Sequence, residues 1–452
     1  MNITFENPDK VNGLLTITVE EADFKDTVEK TLKDYRKKAN FPGFRPGMVP
    51  MGLVKRQFGT SVKLDAVNKV VGEQIYKYIK DNNIQMLGEP LPSEKQEPVD
   101  IEKDAPYTFV FDVAVAPEFK IELNGKNKIA YYDIAVDDKL IGQQIDMFAS
   151  QMGSYVKADV YDPAQRDMLK GDLRELDADG NTKEGGITVE SAVMMPEYIK
   201  VDDQKKLFDG AKPGDIIAFN PRKAYPENDA EVSSLLKIDR EAVKTMESDF
   251  SYQVTEVSRF QKAEVNQEMF DNVYGKDTVK SEEEFKAKIA ENLKPQLQAN
   301  SDYKFLTDLR QYTMDKVGQL TYPDAILKRV MLLNNKDKGE EYVEKNYDES
   351  IKQLTWHLIK EQLVAANDIK VSDDDIKAVA KDQARMQFAQ YGMNNVPEEY
   401  LENYAKEMLA KRDNAAGFVD SAIEKKLVEA LKNVVKLDVK TVTLDEFNEL
   451  MK

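Results

Sequence analysis

The sequence predicts a multidomain protein that combines α+β and all-α parts, and three observations predict it. Strand alternation and helix periodicity are mixed over the first 115 residues, and short strands separated by turn chemistry fill about 158–258. From about 259 onward nearly every segment carries apolar residues at three- and four-residue spacing. A chain of 452 residues also has room for roughly three apolar cores. The reading is therefore an α+β domain at 1–115 and a connector of one strand and one helix at 116–157, packing with the C-terminal body. A small α+β middle domain follows at 158–258 and a helical domain at 259–452.

Each element follows from its local pattern. Leu15, Ile17 and Val19 alternate with Thr16, Thr18 and Glu20, as in a half-buried strand. Phe24, Val28, Leu32 and Tyr35 place an apolar stripe on a helix from about Glu21 to Lys38. The stretch from Asn40 to Pro50 contains Pro42, Gly43, Pro46, Gly47 and Pro50, which no helix or strand interior tolerates, so it reads as a loop. A second helix is expected over about Ser61–Asp81, then a strand over Tyr107–Val115. Ile129, Tyr131 and Ile134 precede Leu140, Ile141, Ile145, Met147 and Phe148 in the strand-then-helix connector. Asp177-Ala178-Asp179-Gly180 and Lys212-Pro213-Gly214-Asp215 bring turns between apolar runs, and Phe250, Tyr252 and Val254 alternate after them. Helical spacing then recurs over 282–320, 324–335, 349–367, 373–391, 398–412 and 416–435, with Ser281–Glu284 and Thr443–Glu446 as capping-box starts.

Composition excludes several function classes. There is no cysteine, hence no disulfide and no thiolate chemistry, and a single histidine, His357, removes Ser-His-Asp machinery and histidine-rich metal sites. No glycine-rich phosphate loop is present, so the reading is ATP-independent and without a cofactor. Asp177, Asp179 and Asn181 mimic a calcium loop, but Thr182 stands where that loop turns on glycine, and a plain β-turn is expected with no metal. Ser372-Asp373-Asp374-Asp375 reads as a helix N-terminus, and Trp356 and His357 as helix packing. Neither a signal segment nor a run of 18 apolar residues is seen, so a cytoplasmic chain without membrane contact is expected.

Charge is distributed unevenly. With 64 basic against 82 acidic residues the net charge is -18, yet residues 30–63 carry nine cations against Asp34 alone, a local +8 on a remainder of -26. Phe44 and Arg45 stand at the centre of that segment, a ring and a guanidinium fork in a loop stiffened by proline and glycine. A cationic tip on an anionic body steers one end toward phosphate.

The residues Gly43-Phe44-Arg45-Pro46-Gly47-Met48-Val49-Pro50 satisfy the G-F-R-x-G-x-x-P signature, and the chain resembles the trigger factor family of bacterial ribosome-associated chaperones. The resemblance extends through the flanking helices and Asn367–Asp373 to Phe447-Asn448-Glu449-Leu450-Met451. It implies a ribosome-binding N-terminal domain, an FKBP-like prolyl isomerase domain and a helical body that shields nascent chains. It also implies docking on a large-subunit ribosomal protein and adjoining ribosomal RNA at the exit tunnel, through Gly43, Phe44, Arg45, Pro46 and Gly47 with Lys37 and Lys38 beside them. Pro46 departs from a lysine found in some members. The resemblance admits a homodimer away from the ribosome.

In the middle domain the likeness thins. Lys183 stands where a pocket phenylalanine is expected, and Tyr198-Ile199-Lys200-Val201-Asp202 replaces an I-P-G-F-E segment. Tyr225 and Phe250 match retained pocket aromatics and are the candidate isomerase residues. Client-binding candidates are Met386, Phe388, Tyr391, Met393 and Tyr400, in a stretch that also holds Tyr404, Met408 and Leu409. Three functions remain open at this point: a ribosome-docked chaperone of unfolded and nascent polypeptides, a free prolyl isomerase, and a ribosome-independent holdase.

Overall fold

The computed structural model describes residues 1–38, 44–45, 47–393 and 396–452, with the backbone alone at 412–414. The chain forms two compact units, one of Met1–Tyr131 with Asp302–Lys440, the other of Tyr132–Ser301 with Thr441–Lys452.

The first unit opens with an antiparallel sheet of order β1-β2-β4-β3, built from β1 (Asn2–Glu6), β2 (Asn12–Val19), β3 (Leu91–Pro92) and β4 (Tyr107–Ala114). Leu15, Ile17 and Val19 point to the covered face, as the alternation requires. That face packs on a helical hairpin of α1 (Glu21–Lys38) and α2 (Met51–Asp81) through Phe24, Ala66, Val67, Val71 and Ile75. Helix α2 starts ten residues earlier than the sequence reading. Pro50 precedes its first turn, and the buried Val54 extends the apolar stripe of Val62 and Ala66 back toward the loop that ends at Pro50.

The rest of this unit is helical. It comprises the second part of α9 (Glu282–Val317), then α10 (Asp324–Asn334), α11 (Gly339–Ala366), α12 (Asp373–Gln390), α13 (Glu398–Ala410) and α14 (Arg412–Val434). Helix α11 likewise begins before the expected position 349. Phe305, Leu309, Trp356, Ile359, Leu363, Leu427 and Leu431 form one core. Tyr322, Ile326 and Leu358 form another with Leu87, Leu91 and Ala114 of the sheet region. Beside that second core, Arg329 donates to Asp112 at 2.6 Å and to the Pro92 carbonyl at 2.7 Å, while Ser93 donates to the same carboxylate at 2.7 Å. Lys360 is buried and satisfied by Asp420 and by Glu424 at 3.1 Å, which also accepts from the Trp356 indole. The sequence reading named no strand after 258, but β11 (Lys436–Val442) lies between the last two helices and pairs with β5 (Lys128–Ile134).

In the second unit α3 (Asp138–Gln151), α8 (Gln267–Tyr274) and the first part of α9 pack on Ala149, Met269, Phe270 and Phe285. Between α3 and α8 lies a five-stranded sheet. It is built from β6 (Ser154–Ala158), β7 (Met168–Glu175), β8 (Thr188–Met194), β9 (Ile216–Phe219) and β10 (Phe250–Gln261) in the order β6-β10-β7-β8, with β9 also on β10. The short helices α4 (Asp202–Lys205), α5 (Pro221–Ala224), α6 (Asp229–Leu236) and α7 (Arg240–Val243) lie between β8 and β10 in the chain. Gly171 lets β7 approach β10, since a Cβ there would meet the Gln253 carbonyl oxygen at 2.3 Å. Helix α15 (Leu444–Leu450) closes the chain on a Thr443–Glu446 capping box.

No helix among the described residues is long and apolar enough to cross a membrane, and none of their His, Cys, Asp and Glu side chains form a group able to hold a metal ion.

Helix α12 generates a pH prediction. Asp375 accepts from the Ser372 N–H at 2.9 Å and its hydroxyl at 2.7 Å, and pairs with Lys426 at 3.0 Å. The Ser372 bonds, then Lys426, lower its pKa from 3.8 to about 2. A depressed folded-state pKa stabilises fully above the unfolded value and is lost as pH falls through the folded one. Asp375→Asn should therefore flatten the loss of α12 helicity between about pH 4 and pH 2 in urea titrations followed by circular dichroism. Superimposable acid limbs for the two proteins would refute the linkage.

Candidate functional site

Three places carry the residues singled out in the sequence: the end of the α1–α2 hairpin, the interior of the β6–β10 domain, and the α12–α13 region.

At the hairpin end, Leu32, Val49, Val54 and Val62 are buried together, with Val28, Met51 and Phe58 packed on them. Tyr35 stacks on Phe58 at 5.0 Å between centroids. The loop returns on this small core through defined bonds. Gly47 N–H donates to the Arg36 carbonyl at 3.1 Å, Met48 N–H to the Arg45 carbonyl at 3.0 Å, and the Arg36 Nε–H to the Val49 carbonyl at 2.8 Å. Gly47 has φ +84° with no atom near an added Cβ, so its backbone conformation and not its surroundings calls for glycine.

Above this base Phe44 is 39% exposed, Arg45 is exposed, and Met48, which the sequence reading did not select, is 69% exposed. Gly43 and Pro46 lie outside the described residues. Lys37 pairs with Asp34 across solvent at 3.5 Å, an interaction worth little. Lys38, Arg45, Lys55 and Arg56 have no carboxylate partner among the described residues. Helix α1 ends on Arg36, Lys37 and Lys38, and α2 opens with no acidic residue in its first turn. The positive end of the α2 dipole is thus left unneutralised beside the free cations. The arrangement presents a ring, a thioether and several unpaired cations together, chemistry suited to a polyanion with apolar relief.

The middle domain is arranged otherwise. Tyr225 is 3% and Phe250 0% exposed, and both belong to a continuous core with Phe208, Phe219 and Tyr252. Phe208, Phe219 and Tyr252 meet edge to face at 5.2 to 6.5 Å, and the Tyr252 hydroxyl donates to the Ala192 carbonyl at 2.9 Å. Lys183 does not enter this core. Its ammonium lies 2.6 Å from Glu175, which also accepts from Ser248 at 2.8 Å and from Ile187 N–H at 2.9 Å. Burial pushes the Glu175 carboxyl up, and the bonds from Lys183, Ile187 and Ser248 outweigh it, so the group sits below its usual range. Of the Tyr198–Asp202 segment only Ile199 is buried, and Tyr198 is exposed.

In the helical arm Met386, Tyr391, Met393 and Tyr400 are 50 to 75% exposed. Phe388 is half-buried, 5.3 Å from the Tyr404 ring, and Met408 and Leu409 pack on the arm's own core. That core is small, built on Ala380, Ala405 and Phe418. Ion pairs reinforce it, Lys381–Glu398 at 2.5 Å, Arg385–Glu398 at 2.9 Å and Lys425–Asp382 at 3.2 Å. The four exposed apolar side chains are therefore not consumed by the arm's own packing.

Comparison with known proteins covers almost the full length. Residues 1–148 match the family model "Bacterial trigger factor protein (TF)", residues 155–262 "Probable trigger factor, FKBP-like domain", and residues 301–451 "Probable trigger factor, C-terminal domain". The chain is 21% identical to the trigger factor of Pelagibacter ubique, over 100% of this chain and 89% of that one. It is 23% identical to that of Chloroherpeton thalassium, over 94% and 95%. A solved trigger factor chaperone superposes with a TM-score of 0.52 at 16% identity, covering 96% of this chain and 99% of its own, and thus shares the fold. Three models in the family's order, together spanning all but short stretches of the sequence, establish that this chain belongs to the trigger factor family.

Proposed function

We propose that this chain, a ribosome-associated chaperone by family, docks through the Phe44–Arg45 tip of residues 1–115 and shields apolar nascent segments on its helical domain. The exposed Phe44 ring, set among unpaired cations on a chain of net charge -18, carries the proposal. Arg45, Lys38, Lys55 and Arg56, with Lys37, contact ribosomal RNA, and Phe44 seats against the protein at the tunnel exit. Gly43, Pro46 and Gly47 belong to the same docking segment. Met386, Tyr391, Met393 and Tyr400 are the client contacts, with Phe388 as their packed neighbour. The setting is cytoplasmic, and no nucleotide is needed, because shallow contacts near micromolar affinity, about 8 kcal/mol, release without an energy source.

Prolyl isomerase action has less support. An isomerase of this type encloses the imide in an aromatic, water-poor cleft, and here Tyr225 and Phe250 are core while Lys183 is tied to Glu175. The middle domain accordingly serves as a folded module without catalysis.

Three outcomes test these assignments. Phe44→Ala with Arg45→Ala should lower ribosome co-sedimentation at moderate salt by at least about tenfold, and rising salt should release the wild type. Equal pelleting of both proteins would reject the docking tip. Replacing Met386, Tyr391, Met393 and Tyr400 by serine should abolish suppression of client aggregation while leaving ribosome binding unchanged; retained suppression would move the client surface elsewhere. In a proline-limited refolding assay the chain should leave the slow phase at its uncatalysed rate, and an acceleration that disappears with Tyr225→Ala would instead make it an isomerase.

A further inference from the structure

We infer that Arg36 is the positioning residue of the docking tip, a role that rests on the docking function proposed above. The composition of residues 30–63 presents Arg36 as one cation among nine, but its geometry sets it apart. It occupies the last turn of α1, where backbone carbonyls lack intrahelical partners. Its carbonyl receives the Gly47 N–H at 3.1 Å, and its guanidinium Nε–H reaches the Val49 carbonyl at 2.8 Å. One residue therefore grips the returning limb of the loop at two points that bracket Met48. Met48 N–H in turn bonds the Arg45 carbonyl at 3.0 Å, so the grip passes to the backbone that carries Phe44 and Arg45.

Other features concentrate that role on Arg36. Val49 has no exposed side-chain surface and sits in the Leu32–Val54–Val62 core, so its carbonyl marks a fixed point. Arg36 itself is half-buried and has no carboxylate partner among the described residues, so its side chain is committed to the loop and not to an ion pair. Gly47 can offer its N–H to Arg36 because it adopts φ +84°. The side-chain clamp on Val49 and the left-handed turn at Gly47 are thus two independent means of holding the same limb.

Those two means give the test. In the full-length protein, Arg36→Ala should reduce ribosome affinity by about three- to tenfold, the worth of one such hydrogen bond. Deuterium uptake in the Arg45–Val49 peptide of the free chain should rise, with the unfolding midpoint of the domain nearly unchanged. Gly47→Ala, which acts through backbone conformation alone, should give the same defect. The decisive measurement is a double-mutant cycle with Phe44→Ala: if Arg36 acts by placing the ring, removing the ring first should cancel most of the Arg36→Ala loss. Additive losses, with the salt slope reduced by about one, would make Arg36 a plain phosphate contact and overturn the inference. Undiminished affinity of Arg36→Ala beside a weakened Phe44→Ala would also overturn it while sparing the docking function. An unaffected Phe44→Ala would instead remove the docking function itself.

Discussion

An aromatic ring stays in water only if the chain beneath it is fixed by something else, and in this protein that is the burial of Val49. Full burial of a valine is worth about 2 kcal/mol, and Val49 shares its cluster with Leu32, Val54 and Val62 at the end of the hairpin. The Arg36 guanidinium donates to the Val49 carbonyl, the Gly47 turn lies two residues before Val49, and the first turn of α2 opens two residues after it. The hairpin end is thus held by a core of a few side chains, far smaller than the one that joins the hairpin to the sheet.

The middle domain shows what holds a fold when a family's pocket chemistry is altered. Ring-to-ring packing of Phe208, Phe219 and Tyr252 supplies apolar burial with defined geometry, and the Tyr252 hydroxyl finds a carbonyl, so no polar atom of that ring is wasted. At the turn, a lysine stands at a position expected to be aromatic without entering the core, because Glu175 at the end of β7 offers its head a partner. A buried carboxylate is costly alone, and the bonds from Lys183, Ser248 and Ile187 offset the loss of water. Replacing Lys183 by an apolar residue in isolation would leave that carboxylate short of its strongest partner, so the lysine and Glu175 are tied to each other energetically.

Much of this was legible in the sequence because periodicity reports burial. The alternation of Leu15, Ile17 and Val19 and the spacing of Phe24, Val28 and Leu32 each report one face of one element, and the structure buries those faces. Two helix starts and β11 were not legible, for different reasons. Val54 belongs to a short apolar stretch next to prolines, and local pattern cannot tell whether it extends a helix or decorates a loop. The strand Lys436–Val442 exists because β5 lies beside it, a partner some three hundred residues away. The tip was half legible: its charge and stiffness can be counted along the chain, whereas the Arg36–Val49 bond joins two residues that no spacing rule connects. Met48 was passed over for the same reason, since its exposure follows from the turn that Gly47 and Arg45 make.

The arm poses the opposite problem to the core. A helical bundle ordinarily hides its large apolar residues, yet here alanines form much of the interior while methionines and tyrosines face outward. Small interior residues bury little area, so the arm relies on ion pairs such as Lys381–Glu398 and Lys426–Asp375 and on its capping box for part of its order. Exposed pairs of this kind are individually weak, and a bundle held this way opens locally at low cost. Under the client-binding proposal that softness is useful: the exposed, pliable side chains of Met386 and Met393 rearrange around a bound segment without breaking a large core. A net charge of -18 opposes close approach of copies, which lowers the aggregation hazard that exposed methionines and tyrosines carry.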